Sequence, residues 1–316
     1  MLYQDKRVLL IAGGGTLGTY TGQELLDKGC YVDVICPEDK VSHHERLRFI
    51  QSKASLELLE ELFAQTRYDG IVNFLHYSDP ANYPPYHQLL TKNTDHLIFL
   101  SSYRVYADLQ HPVTEEAPML LDVSEDQEFL ENERYALSKA RMERYIRAQE
   151  GPVNWTIVRP VISSSSRRLD IVTISGNKVL EMTRAGQTIS LPLEARDKTA
   201  GLDWAGNSGR LIANLLFKEE TKGEAYTISS AQNLTWRQVA EIYSELVGAK
   251  FRWVDTETYL QEKSGGKMDW GLVYDRFYDR VIDNSKVLRA TGLKPEDFVP
   301  LKEGIWQEIQ YLEANK

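Results

Sequence analysis

Short apolar runs alternate with longer segments of helical periodicity over the first 160 residues of the chain. The runs are rich in Val, Ile, Leu and aromatic residues, as buried strands are, and they cover residues 7–12, 31–35, 70–75, 96–101 and 155–159. Between them the pattern predicts helices over residues 18–28, 55–64 and 131–149. Such alternation predicts an α/β fold with a doubly wound parallel sheet, whose ligands bind beyond the carboxyl ends of the strands.

The pattern becomes less regular after Pro160. It predicts further helices over residues 206–217, 236–247 and 302–313. We expect residues 1–160 to form a dinucleotide-binding domain and residues 161–316 a smaller C-terminal lobe that holds the substrate. Segments of this second half, such as residues 225–229, are expected to return to the sheet, so that the two parts pack together.

Composition and charge narrow the class of protein. The chain has 316 residues, of which 42% are hydrophobic and 26% charged, and its net charge of −9 argues against binding nucleic acid or an anionic membrane. No stretch approaches the roughly 20 apolar residues of a membrane span, so we expect a cytoplasmic protein. Cys30 and Cys36 fit neither a disulfide framework nor a zinc site, and no metal site is expected.

A glycine-rich loop follows the first strand directly. Its sequence, Gly13-Gly14-Gly15-Thr16-Leu17-Gly18, matches G-x-G-x-x-G between a strand and a helix, which is the context in which the pattern binds a dinucleotide in Rossmann-type folds. Glycines allow the tight turn and the close approach of a pyrophosphate, which faces free N–H groups at the helix start. The alternative is a glycine-rich turn without a ligand, which this context disfavours.

The choice between NAD and NADP stays open at this stage. An acid at the end of the second strand would bind the ribose hydroxyl of NAD, but Cys36 and Pro37 stand there, and Glu38 and Asp39 follow them. Basic residues that are near enough in sequence to bind a 2′-phosphate are Lys40, His43, His44 and Arg46.

Three further residues form a candidate catalytic group. Tyr135 and Lys139 make a Y-x-x-x-K pattern in a helical segment, so that the phenol and the ammonium share one helix face. The Lys cation lowers the tyrosine pKa, which lets the tyrosine exchange a proton with a substrate hydroxyl. Ser102 follows the strand 96–101, where a hydroxyl can hold the substrate oxygen. Taken singly, an exposed Tyr–Lys pair and a polar strand cap are the alternatives.

The order of these motifs resembles that of the extended short-chain dehydrogenase/reductase family, often labelled NAD-dependent epimerase/dehydratase. The glycine loop is followed by S-S-x-x-V-Y at Ser101, by Y-x-x-x-K at Tyr135 and by Val158-Arg159-Pro160. The resemblance continues to Asp283-Asn284-Ser285-Lys286 and Gly292-Leu293-Lys294-Pro295, and so covers nearly the whole chain.

The resemblance implies an enzyme that uses NAD or NADP and acts on a nucleotide-linked sugar by hydride transfer. Tyr135 would be the general base or acid, Lys139 would lower its pKa and contact the nicotinamide ribose, and Ser102 would position the substrate. The cofactor-binding residues that it implies are Gly13, Gly15, Thr16, Leu17, Gly18, Cys36, Leu75, Ser101, Tyr135, Lys139 and Pro160.

The chain departs from the family pattern in two places. Ala12 replaces the first glycine of many members, and the stretch between Leu75 and Phe99 has about half the residues of the long helix that commonly builds a dimer interface. The short stretch resembles the branch of chloroplast stem-loop RNA-binding proteins, so whether the chain is a monomer or a dimer stays open.

Other functions also stay open. One is a carbonyl reductase or alcohol dehydrogenase with another substrate, and one is a non-catalytic RNA-binding or regulatory protein. The substrate pocket has two groups of candidate residues, Arg167 or Arg168 for a diphosphate and, past the third strand, His76, Tyr77 and Asp79.

Overall fold

The computed structural model describes residues 2–315. The strands in these residues are β1 (Arg7–Ile11), β2 (Tyr31–Cys36), β3 (Leu47–Gln51), β4 (Tyr68–Asn73), β5 (Thr94–Leu100), β6 (Trp155–Pro160), β7 (Ile162–Ser164), β8 (Thr188–Pro192), β9 (Leu202–Trp204), β10 (Ala225–Ile228) and β11 (Lys250–Val254). The α-helices are α1 (Thr16–Asp27), α2 (Leu56–Gln65), α3 (Tyr83–Lys92), α4 (Leu120–Val123), α5 (Gln127–Asn132), α6 (Ala136–Arg147), α7 (Gly176–Arg184), α8 (Ala205–Leu215), α9 (Trp236–Val247), α10 (Thr256–Ser264), α11 (Ser285–Thr291) and α12 (Leu301–Ala314).

Seven parallel strands form the central sheet in the order β10-β6-β5-β4-β1-β2-β3. This is the predicted doubly wound α/β fold of Rossmann type. Alternate residues of β1 enter different cores: Val8 and Leu10 pack with α1 and α8, whereas Leu9 and Ile11 pack with α2, α3 and α6. Because both faces are covered by helices, most strands are buried apolar runs, and the pattern of the first half found five of them. The expected return of residues 225–229 to the sheet is confirmed by β10.

Strand β3 and the start of helix α6 show where the sequence prediction failed in the first half of the chain. The edge strand β3 was missed because its five residues include the polar Arg48 and Gln51 and none of them is fully buried, unlike the apolar runs of its neighbours. The single helix predicted over residues 131–149 was wrong, since the segment is split into α5 and α6 by residues 133–135. The Glu133 carboxylate accepts a 3.0 Å hydrogen bond from the Leu137 N–H and so satisfies a free donor at the start of α6.

The second half of the chain contributes to both the sheet and a lobe. β10 pairs with β6 at one edge of the sheet, and α8 packs against α1. The remaining segments surround a core with Trp236 and Tyr243 at its centre, together with the short pairs β8–β11 and β7–β9. The division at residue 160 stays a prediction. Over residues 2–315, no helix combines the length and hydrophobicity that crossing a membrane requires.

Candidate active site

The glycine loop turns sharply between β1 and α1. A side chain at Gly18 would collide with the Gly13 carbonyl, and one at Gly13 would lie 2.6 Å from the Leu10 Cβ. Gly15, which precedes the first turn of α1, faces open space, since no atom lies within 4 Å of the position of its absent Cβ. Ala12 has φ 54°, a conformation that favours glycine, as the residue's place in the family pattern suggests. The loop therefore presents backbone N–H groups of a helix start to a concave surface, which suits an anion.

Two cavities open at the carboxyl ends of the strands. The central cavity, of about 390 Å³, lies between the glycine loop, the end of β5 and the end of β6. The side cavity, of about 680 Å³, lies between the ends of β2 and β4 and the start of α3. Ala12 lines both of them. Together they flank β1 and β4, where the strand order of the sheet reverses and where open α/β sheets bind ligands.

The residues expected to bind a cofactor are distributed over these cavities. Seven of the eleven line the central cavity: Gly15, Thr16, Leu17, Gly18, Ser101, Tyr135 and Pro160. Cys36 and Leu75 line the side cavity. Gly13 and Lys139 line neither of them, because Gly13 supports the loop from below and Lys139 is buried behind the wall. Of the other candidates, His76 and Tyr77 line the side cavity, whereas Asp79 accepts a hydrogen bond from the Ala81 N–H at a helical turn.

Ser102 and Tyr135 face the same central cavity from different elements. Ser102 is 5% exposed, and its Oγ accepts a 3.2 Å hydrogen bond from the Arg104 N–H, which fixes the hydroxyl at the end of β5. Tyr135 is partly exposed at the residue that precedes α6, and its ring centroid lies 5.5 Å from that of His76. The structure thus brings a hydroxyl and a phenol into one cavity, without a hydrogen bond between them in the described residues.

Lys139 lies one helical turn after Tyr135, but its ammonium points into the protein. The Nζ donates a 2.6 Å hydrogen bond to the Leu100 carbonyl and lies 5.2 Å from the centroid of the Phe99 ring. Complete burial lowers the pKa of Lys139 to about 7, and the negative charge of Glu143 raises it by a smaller amount. The cation is therefore placed directly behind the wall that carries Tyr135.

A buried ion pair supports this wall. The Arg159 Nη2 lies 2.6 Å from the Glu143 Oε2, both side chains are 1% exposed, and the Ser101 hydroxyl also donates to Glu143. Arg159 in addition donates a 2.9 Å bond to the Tyr106 hydroxyl. The positive charge of Arg159 belongs to the V-R-P motif, whereas nothing local in the sequence indicated its partner Glu143, which lies 16 positions away. Such a paired and hydrogen-bonded network holds β5, β6 and α6 in fixed positions.

The basic residues predicted near a 2′-phosphate lie in different places. Lys40 donates a 2.8 Å bond to the Gly14 carbonyl. Arg46 is held by Asp5 and the Gly29 carbonyl on the far side of β2, so that prediction was wrong for Arg46. The lysine that lines the side cavity is instead Lys53, two residues after the end of β3, and it was missed because that strand was missed.

A segment of the second half covers the glycine loop. We call residues 163–168 the cover loop. The Ser165 Oγ lies 2.9 Å from the Thr16 Oγ1, and the Arg167 Nη1 donates a 3.0 Å bond to the Gly14 carbonyl. Of the two arginines predicted for a substrate diphosphate, Arg168 lines the central cavity and Arg167 does not. The cover loop thus closes the cavity over the start of α1.

The comparisons with known proteins agree with this architecture. A family model described as the NAD dependent epimerase/dehydratase family matches residues 9–170, which is slightly more than half of the 316 residues. A search of the curated proteins found no significant match.

Solved structures resemble the whole chain at low sequence identity. The epimerase Mth375 of Methanothermobacter thermautotrophicus has a TM-score of 0.72 at 16% identity, over 99% of this chain and 94% of that one. WbmH of Bordetella bronchiseptica, solved with NAD+, has a TM-score of 0.69 at 16% identity, over 99% of this chain and 100% of that one. The UDP-glucose 4-epimerase of Thermotoga maritima, solved with UDP-glucose, has a TM-score of 0.68 at 16% identity, over 98% of this chain and 99% of that one. The structures establish the shared fold, and the family model establishes that this chain belongs to the NAD dependent epimerase/dehydratase family.

Proposed function

We propose that this protein is an NAD(P)-dependent enzyme that epimerises or dehydrates a nucleotide-linked sugar, with Ser102, Tyr135 and Lys139 as its catalytic group. The observation that carries the proposal is that Ser102 and Tyr135 line the same cavity as the glycine loop. Structures with the same fold support the substrate class, since one of them, WbmG of Bordetella bronchiseptica, was solved with NAD and UDP.

The two cavities suit an elongated dinucleotide with a negative centre. The N–H groups at the start of α1, beside Gly15, would hold the pyrophosphate, and the side cavity between Cys36 and Leu75 would hold the adenosine. Lys53 on the wall of the side cavity would favour a 2′-phosphate and hence NADP. When bound, NAD(P) accepts a hydride from a sugar carbon and returns it.

The chain's own residues would move one proton and hold one oxygen. Tyr135 takes the proton of the reacting sugar hydroxyl and returns it to the same oxygen in the reverse direction. Ser102 donates a hydrogen bond to that oxygen and thereby fixes it next to the phenol. Lys139, one helical turn after Tyr135 and buried, would place a positive charge near the phenol when its ammonium is protonated.

The first experiment identifies the nucleotide that the purified protein retains and then measures turnover of UDP-sugars. We expect sugar conversion without net consumption of NAD(P)H. Tyr135→Phe should lower kcat by about 10²- to 10⁴-fold and change cofactor affinity much less, because it removes the hydroxyl that transfers the proton and keeps the ring. Tyr311→Phe, whose side chain is exposed, is the matched control and should keep full activity.

Other outcomes separate the alternatives. Net consumption of NADPH with a carbonyl substrate would identify a reductase, a function that Lys53 in the side cavity also favours. If neither NAD nor NADP binds in either redox state, the enzyme proposal fails, and a non-catalytic role takes its place.

A further inference from the structure

The side chain of Arg104 lines the central cavity and makes no hydrogen bond. It is 22% exposed, yet within residues 2–315 none of its guanidinium nitrogens donates to an acceptor, and its Nε is buried without a partner. A buried donor without an acceptor is costly, and native proteins pair nearly all such groups. The guanidinium of Arg104 therefore has hydrogen-bonding capacity left at the wall of the central cavity, where a ligand can supply an acceptor.

The carboxylates near Arg104 are already engaged. The Arg104 Nε lies 3.3 Å from the Asp275 Oδ2 without the geometry of a hydrogen bond, while Asp275 accepts bonds from Tyr103, Arg276 and Arg280. Glu133 lies 3.6 Å from the Arg104 Nη2, and its other oxygen accepts the Leu137 N–H. The two ion pairs thus hold the guanidinium in place, and neither of them is a hydrogen bond.

Positive charge dominates the lining of the central cavity. The charged side chains among its described lining residues are Arg104 and Arg168, and both are positive. Burial, together with the charges of Arg104 and Arg168, lowers the pKa of Arg276 to about 10. The field in the central cavity therefore favours an anion.

Arg104 also lies where the reacting end of a substrate would be. Its Cζ is 5.1 Å from the centroid of the Tyr135 ring, and its backbone N–H is bonded to the Ser102 Oγ. Ser102 and Tyr135 are the groups proposed to hold the reacting hydroxyl, so the anion must lie on the sugar ring itself and not at the diphosphate. Resting on that proposed function, we infer that the substrate is a nucleotide-linked sugar acid, whose carboxylate is bound by the planar fork of Arg104.

The test compares a sugar acid with its neutral counterpart. Binding and turnover of UDP-glucuronate, UDP-glucose and UDP alone are measured with the NAD(P)-loaded protein. We expect UDP-glucuronate to be preferred over UDP-glucose by at least roughly tenfold in kcat/KM and in affinity. Arg104→Gln should lower the affinity for UDP-glucuronate by roughly 30-fold or more, because it removes the partner of the carboxylate. The affinities for UDP and UDP-glucose should stay nearly unchanged.

Three controls separate charge, geometry and folding. Arg104→Lys keeps the charge without the fork and should restore part of the preference. Arg134→Gln removes an exposed charge next to Tyr135 and should leave the preference intact. Thermal unfolding of each variant shows whether it is folded.

Several results would overturn the inference. One is a preference of the protein for UDP-glucose. Another is an equal loss of kcat/KM on both sugars with a shifted pH profile in Arg104→Gln, which would make Arg104 a positioning residue for Tyr135. A third is weakened binding of UDP alone, which would place Arg104 at the diphosphate. If sugars are not converted but UDP-glucuronate binds in an Arg104-dependent way, the inference stands and the proposed function fails. If neither sugar nucleotide binds, both fail.

Discussion

Lys139 is a charged residue placed where its charge opposes folding. A pKa of about 7, against an ordinary 10.5, corresponds to a penalty on the order of 5 kcal/mol when the buried ammonium is charged. The unfolded chain binds more protons than the folded one between these two values. The contribution of this group to stability therefore rises with pH across that window, and the penalty is fullest below pH 7.

Replacing this residue should separate stability from function. We expect Lys139→Met to abolish sugar turnover and to raise the Tm by several degrees at pH 6.5, with the gain shrinking as the pH approaches 10. Thermal unfolding at several pH values measures this, with Lys178→Met as an exposed control that changes little. A lower Tm at pH 6.5 would mean that the bond to the Leu100 carbonyl outweighs the cost of burial.

The residues that the sequence predicted are those that act through local spacing. Tyr135 and Ser102 could be found because each belongs to a short pattern, and the structure places both at one cavity. Lys53 and Arg104 could not, because each depends on where a neighbouring strand or turn ends in space. Their catalytic and binding roles stay predictions until the variants are measured.

Among the elements, the cover loop is held by α12. The Ser166 N–H donates a 2.7 Å bond to the Glu308 Oε2, and the Trp204 Nε1 donates a 2.8 Å bond to the Oε1, which also accepts the Tyr20 hydroxyl. Glu308 is 4% exposed, so its carboxylate joins the cover loop, β9 and α1 within the protein. The elements that surround the glycine loop are thus connected through one side chain.

Replacing the Glu308 carboxylate should weaken the attachment of the cover loop to α12. In Glu308→Gln one oxygen becomes an amide N–H that faces a donor, which costs about 1–3 kcal/mol. We expect a lower Tm and a release of NAD(P)H that is several-fold faster in stopped-flow fluorescence. Glu303→Gln, on the exposed face of α12, is the control. Unchanged release together with a lower Tm would show that the cover loop does not limit exchange.

The break between α5 and α6 shows where helical periodicity fails as a guide. The residues from 131 to 149 are good helix formers, yet the chain turns at Glu133, whose carboxylate begins a new helix. The turn places Tyr135 at the start of α6, at the wall of the central cavity. A pattern of apolar residues cannot reveal such a turn, because the contact that causes it is polar and specific.

For the whole molecule, cavity size does not identify the site. A cavity of about 890 Å³, larger than the central and the side cavity, lies at the amino ends of the strands, between Lys6, Thr94 and Trp155. The glycine loop and the catalytic candidates all lie at the opposite edge of the sheet. Ligands of this fold bind at the carboxyl edge of the sheet, where the N-termini of the helices face the ligand.

Substitutions at the larger cavity should therefore leave function unchanged. We expect Gln88→Ala and Lys92→Ala, both exposed residues that line it, to change the affinity for NAD(P) less than twofold. Fluorescence titration measures this, with Lys53→Ala in the side cavity as the positive control for NADP. A loss above fivefold at either position would indicate that the amino edge binds a ligand as well.

The architecture of the first half was predictable and that of the second half much less so. Buried parallel strands leave a strong local signal, and the order of the motifs fixed the family. The lobe is built instead from short strands such as β7 and β9, which pair only across long stretches of chain. Between β4 and β5 the chain has one ten-residue helix, α3, and whether such a protein forms a dimer stays a prediction.

The bond between the cover loop and Glu308 also has a consequence for biosynthesis. A ribosome releases β1 and the glycine loop early, whereas Glu308 follows only after nearly three hundred further residues. Since the chain emerges from its N-terminus, the glycine loop and the strands around it can assemble before α12 is available to hold the cover loop. Cofactor bound at that stage of translation should exchange faster until α12 docks.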